Sequence, residues 1–188
     1  MGDTTDIKKG GIIRHQNDLY VITDAQFVNP GKGSAFVKTK MKSITSGKGT
    51  NITYKSGESI DNVQVQYVNL QYLYNNGTFY SFMNQVTFGT EEIEADTIGD
   101  DVKYLKEGLE VLGVMFEERV VTIQLPKKVQ YRVVEAPPAV RGDSTAGNVT
   151  KDITLDNGLH VQAPIFIKEG EEILVNTETG EYSARVNE

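Results

Sequence analysis

The run Asn29-Pro30-Gly31-Lys32-Gly33-Ser34 is the most unusual local feature of the sequence. Proline presets the φ of a turn and glycine supplies the positive φ that tight turns need, so the run predicts a sharp reversal. It lies between the apolar pair Phe27-Val28 and a strand-like run that starts at Ala35. A lysine between two glycines has no bulky neighbour to pack against, so Lys32 is pushed out at the end of a hairpin. There its ammonium can reach an anionic target. A solubilising lysine at an ordinary turn has the same local pattern, and the motif alone does not choose between the two.

After the turn, Lys38, Lys40 and Lys42 alternate with Val37, Thr39 and Met41. A strand would put the three ammonium groups on one face and turn the other three side chains toward a core. Residues two apart in a strand are separated by roughly 6.6 Å, close to the spacing of successive phosphates, so the row suits a nucleic-acid backbone. A solvated face whose lysines discourage edge pairing would look the same.

Enzyme chemistry finds few supports. Zero cysteines exclude disulfides, thiolate catalysis and thiolate metal sites, and His15 and His160 have no ligand spacing. Gly47-Lys48-Gly49-Thr50 lacks the spacing and the strand-to-helix setting of a phosphate-binding loop. The acidic clusters Glu91-Glu92-Glu94 and Glu169-Glu171-Glu172 have no positioned base beside them and read as charged surface. Neither a catalytic residue, a metal ligand nor a cofactor site is expected.

The elements that must hold these residues are strands. Short runs rich in Val, Ile, Thr, Tyr and Phe, bounded by Gly, Asn, Asp or Pro, recur throughout and predict an all-β chain. In the first third they cover 11–14, 19–22, 35–41 and 51–55, enough for a small barrel. In the middle third, 65–74 and 78–82 flank Asn75-Asn76-Gly77, a strong hairpin signal, and 112–116 pairs with 120–125 through Glu117-Glu118-Arg119. Between them Ile98, Val102, Leu105 and Leu109 recur at helical spacing, with Asp100 or Asp101 as cap, and predict a helix. The last third offers Thr154-Leu155 before Asn157-Gly158, then strands over 165–168, 173–176 and 181–186. Leu125-Pro126 marks a module boundary and Asp61-Asn62 a softer one. All-β modules of this size suit small, partly open barrels of the oligonucleotide-binding type, although a sandwich has similar signals.

At 38% hydrophobic and 24% charged, the 188 residues are ordinary for a globular chain. The polar first nine residues and the lack of a long apolar run predict a cytoplasmic protein with no membrane partner. The net charge of −7 is unevenly spread: residues 1–62 carry nine Lys+Arg against six Asp+Glu, the remainder ten against twenty. That asymmetry suggests that one end meets a polyanion and the rest does not.

Residues 27–37 closely resemble the first-domain tip of the bacterial elongation factor P family, with Lys32 at the functional position. Asn69-Leu70-Gln71-Tyr72-Leu73-Tyr74, Phe82-Met83-Asn84 and Leu105-Lys106-Glu107-Gly108 are similar to its second domain. Gly142-Asp143, Ala163-Pro164-Ile165-Phe166-Ile167 and Thr179-Gly180-Glu181-Tyr182 with Arg185 are similar to its third. Three departures stand out: the interval from Gly142 to Lys151 is one residue longer than usual, Gln162-Ala163 replaces a hydrophobic pair before Pro164, and Asp152-Ile153 stands where Pro-Ala is common.

The resemblance implies three small barrels in an L shape similar to tRNA: an SH3-like (KOW-like) domain over 1–63, a central oligonucleotide-binding (OB) domain with one short helix over 64–127, and a second OB domain over 128–188. It implies a monomeric, non-enzymatic translation factor that binds both subunits of the 70S ribosome between the peptidyl-tRNA and exit sites and relieves stalling at consecutive prolines. Lys32, framed by Pro30, Gly31, Gly33 and Ser34, would lie near the CCA end of the peptidyl-site tRNA, and in many members a dedicated enzyme extends this lysine. Lys38, Lys40 and Lys42, together with Arg141, Gly142, Asp143, Tyr182 and Arg185, are the expected RNA contacts. Residues 142–147 would approach the mRNA codon in the exit site.

Proline is a poor peptidyl donor and acceptor because its ring fixes φ and restricts its neighbours. A scaffold that only aligns the CCA end would restore reactivity without an acid, base or nucleophile of its own. The competing reading is a generic single-stranded nucleic-acid-binding protein whose Tyr72, Tyr74 and Tyr80 stack bases. A carboxylate-based hydrolase is a weaker third.

Overall fold

The computed structural model describes residues 2–138 and 149–186. Its architecture follows from period-two burial. In β3 (Phe36–Ser43), Val37, Thr39 and Met41 are buried while Lys38 and Lys40 are exposed. The buried Thr39 hydroxyl donates to the Ile52 carbonyl at 2.9 Å, so the one polar member of the inward set is satisfied. β3 lies between β2 (Asp18–Val28) and β4 (Gly49–Lys55). With β1 (Ile12–His15) and the short β5 (Asp61–Asn62) they form an antiparallel sheet in the order β4-β3-β2-β1-β5. Ile7, Ile13, Ile22, Val37, Met41, Tyr54 and Ile60 make its core.

The second sheet, β10-β9-β6-β7-β8, is built from β6 (Gln66–Asn75), β7 (Phe79–Asn84), β8 (Thr90–Glu94), β9 (Glu110–Phe116) and β10 (Arg119–Gln124). Its two edge strands, β8 and β10, meet, as expected of a sheet curling into a barrel. The Asn75-Asn76-Gly77 turn forms as its residues dictate: Asn76 Oδ1 accepts from the backbone of Thr78 and Phe79, and Gly77 takes a φ of +93°. At Gly113, on β9, a Cβ would sit 2.6 Å from Leu70 Cδ1, so the core closes over that strand because it has no side chain there.

The sequence predicts one helix running from Ile98 to Leu109, and the structure corrects this. A single α-turn, α1 (Ala95–Ile98), is followed by a 3-10 segment, Gly99–Tyr104. Gly99 adopts a φ of +70°, which ends the α-helix one residue after Ile98, so Asp100 and Asp101 fall past the break, and the N-cap of α1 is Glu94. The apolar spacing was nevertheless meaningful, because Ile98 and Leu105 are buried.

The third sheet, β13-β12-β11-β14-β15, comprises β11 (Lys128–Glu135), β12 (Thr150–Leu155), β13 (His160–Pro164), β14 (Glu172–Asn176) and β15 (Tyr182–Arg185). Here the expected strand over 165–168 is wrong. The strand is β13, and it stops at Pro164, whose carbonyl accepts from the Ile167 N–H as the chain turns. Beyond it Ile165 and Phe166 are exposed, and Ile167 turns back into the core. β11 has a clear alternation, Val129, Tyr131 and Val133 inward, that the sequence reading did not single out.

By contact the chain divides into two compact units, Met1–Asp100 with Glu107–Gln124, and Asp101–Lys106 with Leu125–Glu188. The first two sheets belong to one unit. Residues 101–106, which lie between β8 and β9 in sequence, pack with the third sheet. Tyr131 Oη donates to the Tyr104 carbonyl, Asn157 Nδ2 donates to the Lys103 carbonyl at 2.9 Å, and Lys106 pairs with Asp156 at 3.6 Å. Burial among these groups pushes the Tyr131 hydroxyl far above the ordinary phenol range.

Candidate functional site

β2 is eleven residues long, and its last part outruns the core: Gln26 and Phe27 are exposed, and Phe27 retains 62% of its surface. β2 and β3 stay in register to the pair Val28–Phe36, leaving residues 29–35 as the hairpin tip. Within it Gly33 has a φ of +104°, whereas Gly31 does not need a positive φ, so the expectation that both glycines serve the turn in that way holds for Gly33 alone. No heavy atom lies within 4 Å of where a Gly31 Cβ would be. Lys32 and Ser34 are exposed, Pro30 is half-buried, and Lys32 has no ion-pair partner among the described residues. The tip can therefore present a cation on an open loop.

The lysine row beneath the tip is more differentiated than its alternation predicts. Lys38 is exposed, with Nζ 5.8 Å from the centroid of the Phe36 ring. Lys40 is exposed but lies 3.5 Å from Asp24 on β2. Lys42 corrects the expectation: it is 8% exposed, and its Nζ meets Glu94 Oε2 at 2.6 Å. Lys42 is on the predicted face, but the end of β8 covers it. Lys55, not among the expected contacts, is exposed and pairs across the sheet with Phe36, on the same outer face as Lys38. The alternation of Asn51, Thr53 and Lys55 was the available signal.

In the other unit, Tyr182 is half-buried on β15, and Arg185 Nη1 lies 3.3 Å from Glu171 Oε1. The Lys168 backbone N–H donates to the Glu171 carboxylate, which with the nearby Arg185 holds that carboxyl below its usual range. Arg141, Gly142 and Asp143, and the whole of 142–147, lie outside the described residues. Of the proposed base-stacking tyrosines, Tyr72 is buried, its ring 5.5 Å from Phe82 and 5.9 Å from Tyr80, and Tyr74 is exposed.

Other candidates resolve into local structure. His15 stands edge-on to Tyr20 and Tyr54, with Nδ1 3.4 Å from Tyr54 Oη. His160 belongs to the other unit, 3.4 Å from Thr154 Oγ1. Gly47-Lys48-Gly49-Thr50 connects β3 to β4, strand to strand, with Gly47 N–H donating to the Ser43 carbonyl. Among the described residues no group of three or more His, Asp or Glu could hold a metal ion, and no helix is long and apolar enough to cross a membrane.

Three family models match in succession: the elongation factor P KOW-like domain over residues 3–60, the elongation factor P OB domain over 65–123, and the elongation factor P C-terminal domain over 129–185. Elongation factor P of Chloroflexus aggregans is 40% identical over 188 residues, covering 98% of both chains. That of Aquifex aeolicus is 39% identical over 186 residues, covering 99% of this chain and 96% of the relative. The solved structure of eukaryotic translation initiation factor 5A from Methanococcus jannaschii matches at a TM-score of 0.33 and 20% identity, covering 66% of this chain and 92% of that one, too loosely to bear on function. With its three sheets each matched in order and two-fifths of its residues shared end to end, the chain belongs to the elongation factor P family of translation elongation factors.

Proposed function

We propose that this factor binds the ribosome between the peptidyl-tRNA and exit sites and speeds peptide-bond formation at consecutive prolines by bracing the CCA end of the peptidyl-site tRNA with Lys32. The observation that carries the reading is the exposed lysine, without an ion pair among the described residues, on an open loop at the end of a hairpin that outruns its core. On this reading the chain makes and breaks no bond itself. It removes part of the entropy cost of alignment, an effect large enough to matter when the reactant is a poorly oriented prolyl ester. Residues 1–63, 64–127 and 128–188 act as the three functional modules. Lys38, Lys40 and Lys55 flank the RNA-facing side of the first, and Tyr182 and Arg185, with Arg141, Gly142 and Asp143, serve the third near the mRNA. The site of action is the cytoplasm, the chain is a monomer, and Lys32 is accessible to an enzyme that lengthens it.

Added to a purified translation system, the protein should accelerate synthesis through three consecutive prolines and leave a proline-free message nearly unchanged. Equal acceleration of both messages, or of neither, would overturn the assignment.

A further inference from the structure

Lys42 is chemically out of place for an RNA contact. A lysine side chain left with only 11% of its surface cannot reach a phosphate, and its partner Glu94 is the more accessible of the pair at 53%. The pair bridges the base of the tip hairpin to the end of β8, and two further contacts each link one of these sheets to a segment flanking the other. The bulge in β2 at Thr23 lies against Gly99, where an added Cβ would be 3.8 Å from the Thr23 Cβ. Gln124 of β10 lies against Gly10, 3.0 Å from where a Cβ would be. Beside the ion pair lies a cleft of about 360 Å³, lined by Thr23, Lys40, Lys42 and Asn51 of the first sheet and by Asp96 of α1. The Lys42–Glu94 pair is thus the one ion pair among the described residues that links β3 to β8.

We propose that Lys42 and Glu94 form a strut that fixes the tip hairpin against the second sheet, making Lys42 a positioning residue for Lys32. The inference rests on the proposed role of Lys32 at the CCA end. From Lys42 to the end of β3 at Phe36 the strand spans about 20 Å at roughly 3.4 Å per residue, so a tilt of about 5° at the base moves the far end by about 2 Å. Displacements of about 1 Å at a reacting centre can cost about a hundredfold in rate. Removing one partner also strands the other: the ammonium would remain largely buried with no counter-charge, which favours opening of this contact.

The test compares the full-length parent chain with K42M, which keeps the apolar stem, with E94Q, with the double variant and with K42R. Backbone 15N relaxation should give residues of the first and second sheets one shared rotational correlation time in the parent and in K42R. In K42M and E94Q the first sheet should tumble faster than the second, and the double variant should be no looser than either single, because the pair acts as a unit. Retained chemical-shift dispersion in all three sheets verifies folding. Both singles should slow proline-run synthesis by about tenfold or more while ribosome affinity changes less than about threefold. Shared tumbling in K42M sinks the strut, and separate tumbling with undiminished rescue sinks the positioning role. A parent chain that gives no rescue counts against the tip reading instead, and the tumbling comparison then sustains or sinks the strut by itself.

Discussion

Lys32 and Lys42 are both lysines next to turns or strand ends of one hairpin, yet their surroundings assign them opposite tasks. The first has open space on the Gly31 side and no counter-ion among the described residues, the second a carboxylate at 2.6 Å and almost no solvent. Because Lys32 makes no core contact, Lys32→Ala should change stability by less than about 0.5 kcal/mol, as surface substitutions do. It should nevertheless nearly abolish proline-run synthesis with ribosome binding largely kept. Lys32→Arg preserves charge but substitutes a planar fork that cannot carry a lysine-specific extension. Run in protein from the native host, with the mass of the Lys32 peptide measured in parallel, the Arg variant separates charge from modification. Full activity in Arg makes modification dispensable. Full activity in Ala makes Lys32 a turn lysine and removes the mechanism.

The β2–β3 hairpin shows what strand periodicity can and cannot reveal. Its turn and its inward set were legible because proline, glycine and period-two alternation act over a few residues. The fate of Lys42 was not, because it is decided by Glu94, fifty-two positions away. The same limit explains why the helix is one α-turn: the apolar spacing from Ile98 is real, but Gly99 takes a positive φ of +70° and breaks the backbone that would have carried it. At Ile165 hydrophobicity alone suggests a strand, but the chain turns there through the bond from Ile167 N–H to the Pro164 carbonyl, whereas the alternation of β11 is plain in the sequence. For the interface the consequence is concrete. Reversing charge at Lys38 and Lys40 should weaken ribosome binding and leave circular dichroism unchanged, since among the described residues Lys38 has no ion pair and Lys40 only the half-exposed Asp24, the kind of surface pair worth about 1 kcal/mol or less. Unchanged affinity at low salt would reduce the row to a solvated face.

Across the whole chain, pairing leaves fewer available cations in residues 1–62 than the nine basic residues there suggest. Of the nine basic residues there, Arg14, Lys40 and Lys42 face Asp61, Asp24 and Glu94, while Lys32, Lys38, Lys48 and Lys55 stand exposed without an ion pair among the described residues. Beyond residue 62 the chain carries twenty acidic residues against ten basic ones, so most of its surface repels phosphate. Such a molecule should bind RNA only where the ribosome presents the right shape to a few lysines. Three or four phosphate contacts give a log–log slope of ribosome affinity against salt of roughly −2 to −4. Free single-stranded RNA, which offers charge but no shape, should show no measurable binding by filter retention at physiological salt. Micromolar retention of free RNA at that salt would reverse this conclusion and favour a general nucleic-acid-binding protein, with the ribosome as merely one of its ligands.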